Sequence, residues 1–296
     1  MTTFIALLLA VSMLSGCSSA PVTNIKSTPA EFSVSAILAE AEPEAVTYTV
    51  ELQTVENTAE AEDGTLLAHY KLELPVMAAV REDGSEVLQA VNETERAALA
   101  IVESFNSQFA DWLDGEEFSA LAAAAEEDRM WQVLNGGEWI GAYELGLTCD
   151  LYQTGELISV AAEYYSYTGG AHPNTSLLAW NFDLTTGQFF TPAILAADGQ
   201  DFMAAVQDEI VRQANIPLED GTIPAAGYWE DYEEIAADWS SYAVSFDETG
   251  MKVAFSPYEI ACYAAGPQVF SLPYELLLPH LSDHGKVILE LGTTED

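Results

Sequence analysis

An α+β fold is what the sequence predicts: antiparallel sheets with packed helices, in two subdomains over residues 46–187 and 188–296. Three observations predict it. The chain has 296 residues, 49% of them hydrophobic and 10% aromatic, enough apolar surface for a large core. Segments alternating with period two come in pairs around turn residues, the mark of hairpins. Between those pairs, apolar residues recur three and four apart, as on one face of a helix. Hairpins mixed with helix pairs point to α+β rather than to βαβ repeats, and no internal repeat of fixed period is present.

In chain order, Val46–Leu52 alternates strictly and Leu66–Met77 less regularly, with the turn signal Asp63-Gly64 between them. From Glu93 the spacing of Ala97, Ile101, Phe105, Phe109 and Trp112 gives a helix ending near Gly115, and an Ala-rich helix follows over Glu116–Leu134. Asn135-Gly136-Gly137 breaks it. Tyr143–Tyr152 and Glu156–Tyr165 form a second hairpin about Thr154-Gly155, and a strand over Leu177–Leu184 closes at Thr185-Thr186-Gly187. In the second half, Phe202, Val206, Ile210 and Val211 make an amphipathic helix that stops before Pro217. A further helix is expected over Tyr228–Trp239, then a hairpin of Tyr242–Phe246 and Met251–Phe255 about Asp247–Gly250. A strand at Val269–Leu272, a short helix at Pro273–Leu281 and a strand at Lys286–Leu291 complete the expectation.

Eight Lys and Arg stand against 48 Asp and Glu, a formal charge of −40 that would repel nucleic acid and anionic lipid and attract cationic partners. The acids are spread from Glu31 to Asp296, so the charge serves either general solubility or a docking field for a basic partner.

Near the start, the apolar run Phe4–Met13 is followed at once by Leu14-Ser15-Gly16-Cys17. The run is too short to span a bilayer and has the length of a signal-peptide core. It resembles the lipobox of bacterial lipoproteins, which implies lipidation at Cys17, removal of the preceding residues, and an extracytoplasmic protein anchored to the membrane by lipid. No Lys or Arg precedes the apolar run, a departure from the usual signal. Residues 18–45, rich in Ser, Thr, Ala, Pro and Glu, are expected to form a flexible tether. Cys149 and Cys262 then remain, either bridged or as two separate thiols.

The most distinctive run is Tyr164-Tyr165-Ser166-Tyr167-Thr168-Gly169-Gly170-Ala171-His172-Pro173-Asn174. It places an aromatic strand end before a Gly-Gly turn, where backbone can approach a ligand or another strand closely. His172 sits just past the turn, where it could titrate, donate to a ligand or close the loop. Asn181-Phe182-Asp183-Leu184-Thr185-Thr186-Gly187 follows it. Further on come Phe255-Ser256-Pro257-Tyr258-Glu259-Ile260-Ala261-Cys262-Tyr263-Ala264-Ala265-Gly266-Pro267 and Leu272-Pro273-Tyr274-Glu275-Leu276.

These ordered runs resemble the signatures of a family of extracytoplasmic bacterial domains. It includes the lysozyme-binding outer domain of the anti-sigma factor RsiV and the non-catalytic N-terminal region of the peptidoglycan deacetylase PdaC. Cys262 stands where that family usually has proline, which implies a less rigid loop. The resemblance implies a binding module, with a cationic muramidase such as lysozyme as ligand. Its candidate contacts are Tyr165, Tyr167, Gly169, Gly170, His172 and Asn174; the alternative is a structural loop with its aromatics packed inward. A transmembrane helix and a sigma-binding segment, as in RsiV, are not evident, nor is a deacetylase domain, as in PdaC.

Two other constellations stand out. His280 and His284 lie four apart, as zinc ligands would on a helix, or as histidines at a helix C-terminus would. Glu230, Asp231, Glu233, Glu234 and Asp238 lie among Trp229, Tyr232 and Trp239, either as a functional carboxylate group or as a solvated helix face over aromatic anchors. No G-x-S-x-G, HExxH, P-loop or EF-hand pattern is present, so no catalytic, cofactor or metal site is assigned. The rival functions are a cell-wall enzyme using paired carboxylates and a structural envelope lipoprotein.

Overall fold

The computed structural model describes residues 45–292 apart from Asp114 and Ile140, and these fall in one compact unit. The expected lipobox, Cys17 and the tether up to residue 44 lie outside the described residues. The fold is α+β, with a six-stranded sheet and a three-stranded sheet.

The first hairpin is longer than its alternation suggested, with β1 at Val46–Glu60 and β2 at Leu66–Arg81. α1 (Glu93–Ser107) starts on Asn92, whose side chain accepts from the Glu95 amide. A single turn, α2 (Ala110–Leu113), follows, then α3 (Glu116–Leu134). β3 (Tyr143–Gln153), β4 (Leu157–Tyr167), β5 (Asn174–Asp183) and β6 (Gln188–Phe190) complete the large sheet in the order β1-β2-β3-β4-β5-β6. All neighbours are antiparallel except β2 and β3, which run parallel because the helices between them carry the chain back.

Alternation along the strands sends two residue sets to opposite faces. Leu145, Leu147 and Cys149 of β3, Ile158, Val160 and Ala162 of β4, and Phe182 of β5 join Phe105 and Phe109 of α1 and its extension in one core. Phe105 packs edge-on to Phe182 at 5.3 Å and stacks with Phe189 at 5.5 Å. Polar ties fix the helices: Asn106 bonds both the N–H and the C=O of Met77, and Tyr164 Oη donates to Glu117 at 2.7 Å.

α4 (Gly199–Ala214) begins on Asp198, which accepts from the amides of Gln200 and Asp201. Its buried Phe202, Val206 and Ile210 pack on the small sheet of β7 (Ala243–Asp247), β8 (Gly250–Phe255) and β9 (Gln268–Pro273). The helix expected over Tyr228–Trp239 is one turn only, α5 (Tyr232–Ile235), flanked by 3₁₀ turns at Pro224–Gly227 and Trp239–Ser241. Asp238 ends it by taking the Ser240 amide and hydroxyl, a local turn that competes with helix.

After the single turn α6 (Tyr274–Leu277), the expected strand at Lys286–Leu291 is instead the helix α7 (Asp283–Ile288), capped by Ser282 Oγ on the Gly285 amide. The amides of Lys286 and Leu289 donate to Ser282 O and Gly285 O, the i→i−4 bonds of a helix.

β7 lies with its outer edge on the large sheet, and buried side chains satisfy that edge. Asn181 Nδ2 donates to Val244 O at 2.7 Å, Ser159 Oγ accepts from Phe246 N at 2.8 Å, and Ser159 Oγ donates to Asn181 Oδ1 at 2.8 Å. Unpaired strand-edge groups buried without such partners would each be costly.

Candidate functional site

The Gly-Gly turn is demanded by the backbone: Gly169 and Gly170 have φ of 86° and 98°, a region that costs other residues a Cβ clash. Tyr167 closes the turn by donating from Oη to Gly170 O at 3.2 Å. His172 is exposed beyond it, with Nδ1 2.8 Å from Pro173 O. Asn174 opens β5 opposite Ser166 and is exposed.

Tyr165 and Tyr167 are half-buried, while Tyr164 alone of the three packs toward the helices, edge-on to Trp112 at 5.6 Å. The expectation of contacts and the alternative of inward packing therefore divide by strand parity: Tyr164 is structural, and Tyr165 and Tyr167 stand on the opposite face. Burial, with Glu144 and the neighbouring tyrosines Tyr167 and Tyr263, pushes the Tyr165 hydroxyl above its ordinary pKa, so it stays a neutral donor.

The loop between β8 and β9 meets this turn from the other side. His172 stacks on Tyr263 with ring centroids 3.9 Å apart and planes 19° from parallel, and its Nε2 lies 3.5 Å from Tyr258 Oη. Tyr258 is 53% exposed yet holds φ of 75°, a left-handed conformation worth about 1–2 kcal/mol of strain in a non-glycine residue. The surroundings hold it there. Its N–H donates to Ala261 O at 3.1 Å, its C=O accepts from Trp229 Nε1 at 3.2 Å, and Trp229 N donates to Ile260 O at 2.8 Å.

Glu259 accepts the Ser256 amide at 2.5 Å, and Ser256 Oγ in turn accepts the Leu177 amide of β5 at 3.0 Å. Burial raises the Glu259 pKa against the lowering effect of that Ser256 bond. Cys262 has φ of −67°, the value a proline ring would fix, so the loop keeps proline geometry there.

The result is an aromatic surface of exposed His172 and Tyr258 and half-buried Tyr263, with Trp229 bonded to Tyr258 beside it. Beside it lies a shallow cavity of about 440 Å³ bounded by Glu163, Thr175, Pro257 and residues 263–267. Tyr258 and Tyr263 lie inside the second signature run and Trp229 in the acidic segment, but none of the three is among the contacts expected from sequence.

The other signature residues hold the fold together. Asp183 is fully buried and accepts from the amides and hydroxyls of Thr185 and Thr186 and from His284 Nε2 at 3.1 Å. Burial alone would raise its pKa, but the threonine bonds outweigh it and the net shift is downward.

His280 closes the preceding 3₁₀ turn and His284 sits in the first turn of α7, so the pair does not share a helix face. Among the described residues no group of three or more His, Cys, Asp and Glu is placed to hold a metal. Cys149 is buried and Cys262 exposed, both as free thiols. In the acidic segment, Tyr232 is buried and Trp239 half-buried, anchoring an otherwise solvated turn, and Trp229 is exposed.

Fold and site together define an α+β domain with an aromatic surface formed by two loops. Residues 195–275 match the family DUF3298, described as a protein of unknown function, and a DUF3298 domain is thus found in the second half of the chain. The match includes the loop of Tyr258 and Tyr263 but not that of His172. A DUF3298-family crystal structure from Bacteroides fragilis is similar in fold, with 16% identity, a TM-score of 0.57, and coverage of 84% of this chain and 98% of that one. A DUF3298 family protein from Pseudomonas aeruginosa matches at 15% identity over 80% of this chain and 95% of its own, with a TM-score of 0.41. No curated protein matches. Among the described residues no helix is long and apolar enough to cross a membrane.

Proposed function

We propose that this chain is an extracytoplasmic binding module, anchored to the membrane by lipid on Cys17, that captures a cationic, cell-wall-directed protein such as lysozyme. One observation carries the reading. Two signature runs, 86 residues apart at His172 and Tyr258, converge into one exposed aromatic surface held in a strained backbone conformation. Exposed aromatics on rigid loops are the usual anchors of protein interfaces, since they bury much area for little side-chain entropy.

The formal charge of −40 supports a basic partner by steering encounter, and it sets no contact geometry by itself. The resemblance to the RsiV and PdaC domains supports the same class of ligand. With lipid in place of a membrane-spanning helix, capture would not pass directly to the cytoplasm, and the role becomes that of decoy, inhibitor or accessory receptor.

Titration of the chain with lysozyme at low and at physiological salt tests the reading. Saturable binding that persists at physiological salt and falls on His172→Ala is expected. Binding at low salt alone would reduce the interaction to charge attraction, and no binding at low salt would remove lysozyme as the ligand.

A further inference from the structure

A second cavity, of about 460 Å³, lies between the two sheets and shares Glu163 with the cavity beside the aromatic loops. Sheets that pack face to face ordinarily fill the space of about 10 Å between them with large apolar side chains. Here the small sheet meets the large one along the β7 edge, and small side chains leave an opening beside it. Ala161 and Ala179 are cross-strand partners on the large sheet, Ala243 and Ala254 are cross-strand partners on the small one, and all four line the same cleft. The β7 edge is pinned by Asn181 and Ser159, so the cleft is framed by fixed strands.

Carboxylates stand beside the alanine pair of the large sheet and beyond it. Asp150 lies opposite Ala161 in register, with Asp247 and Glu248 also lining the cavity, and Glu163 stands two residues along β4. Two residues of strand place the two positions about 7 Å apart. The one cation lining the cleft, Lys252, is held by Asp247 at 2.6 Å, which leaves the lining with a carboxylate excess. Lys252 also shows what the cleft accepts, an alkyl stem with its ammonium group among carboxylates.

From this geometry we infer that the inter-sheet cleft binds a free aliphatic polyamine, its methylene spacer over the alanine pairs and its ammonium groups at Asp150–Glu248 and at Glu163. The cleft is a small-molecule site that borders the proposed protein-binding loops at Glu163.

Isothermal titration of the full chain with spermidine at physiological ionic strength tests this. The expected result is one saturable site of one-to-one stoichiometry, weakened at least tenfold by Ala161→Leu, which fills the cleft. The pair Asp150→Asn with Glu163→Gln should weaken it similarly without adding bulk, and it carries the test if Ala161→Leu does not fold by circular dichroism. Removing two carboxylates elsewhere, Glu219→Gln with Asp220→Asn, should leave affinity unchanged, as should Tyr263→Ala. Many weak sites, equal loss on removing the distant carboxylates, or full affinity in the cleft variants would overturn the inference. Loss of spermidine binding in Tyr263→Ala would place the site on the loops instead.

Discussion

Replacing Asn181 by alanine removes the side chain that joins the two sheets. Asn181 is 4% exposed, and it spends its amide on Val244 O and its carbonyl on the Ser159 hydroxyl. The variant strands both partners in a buried setting, and each unsatisfied group costs about 1–3 kcal/mol. Partial refilling by water would recover some of that, so a loss of about 2–4 kcal/mol is expected. In a folded unit of this size each kcal/mol moves the midpoint by about 2–4 °C, which gives a fall of about 5–15 °C.

Thermal and urea unfolding followed by circular dichroism would measure it. Ser159→Ala strands the Phe246 N–H and the Asn181 carbonyl, so the two substitutions should be non-additive, with a coupling of about 1–2 kcal/mol in a double-mutant cycle. A loss under about 0.5 kcal/mol for Asn181→Ala, or strict additivity, would refute the idea that this pair holds the β7 edge.

Three further outcomes follow from single sites. At Asp247, burial alone would raise the carboxyl pKa, but the bonds from Lys252 and Thr249 pull it down to about 2; its stabilising effect is therefore complete above about pH 4 and lost as pH falls through about 2. Asp247→Asn should flatten the acid limb of a pH–stability curve in that window, and an unchanged limb would rule out the contribution. The Cys149 thiol is pushed up to about 12 by burial, with Glu73 adding to it, so in a Cys17→Ser variant a thiol reagent at neutral pH should label Cys262 alone until the protein is unfolded. Gly250 faces the Leu272 carbonyl with no room for a Cβ, so Gly250→Ala should cost more than about 1 kcal/mol by urea unfolding, and a neutral result would show that β8 and β9 can part there.

Where the sequence carried its own punctuation, the fold was legible. Gly115 and Asn135-Gly136 bound α3 at both ends, and Asp63-Gly64, Thr154-Gly155 and the Asp247–Gly250 turn each sit between paired strands. Periodicity misled where two readings shared a pattern. Tyr228, Tyr232, Ile235 and Trp239 recur at helical spacing, yet only Tyr232–Ile235 is helical and Asp238 turns the chain by bonding Ser240. Val287 and Ile288 favoured a strand by type, and the Ser282 cap made a helix.

The parallel pairing of β2 with β3 depends on where α1–α3 return the chain, and no local signal carries it. The candidate site was half legible. Gly169, Gly170 and His172 stood out as a turn and a titratable group, but the stacking of His172 on Tyr263 depends on Ser256 tying the second loop to β5, a contact across 79 residues. Asn181 and Asp183, legible only as part of a signature, turned out to serve the backbone through buried hydrogen bonds.

Hydrogen-exchange footprinting of the full chain with and without saturating lysozyme tests the central claim most directly. The account predicts slowed exchange confined to residues 167–174 and 257–266, with the acidic α3 and α4 surfaces unchanged. Protection centred on those helices, or spread evenly over the acidic surface with the two loops untouched, would contradict it.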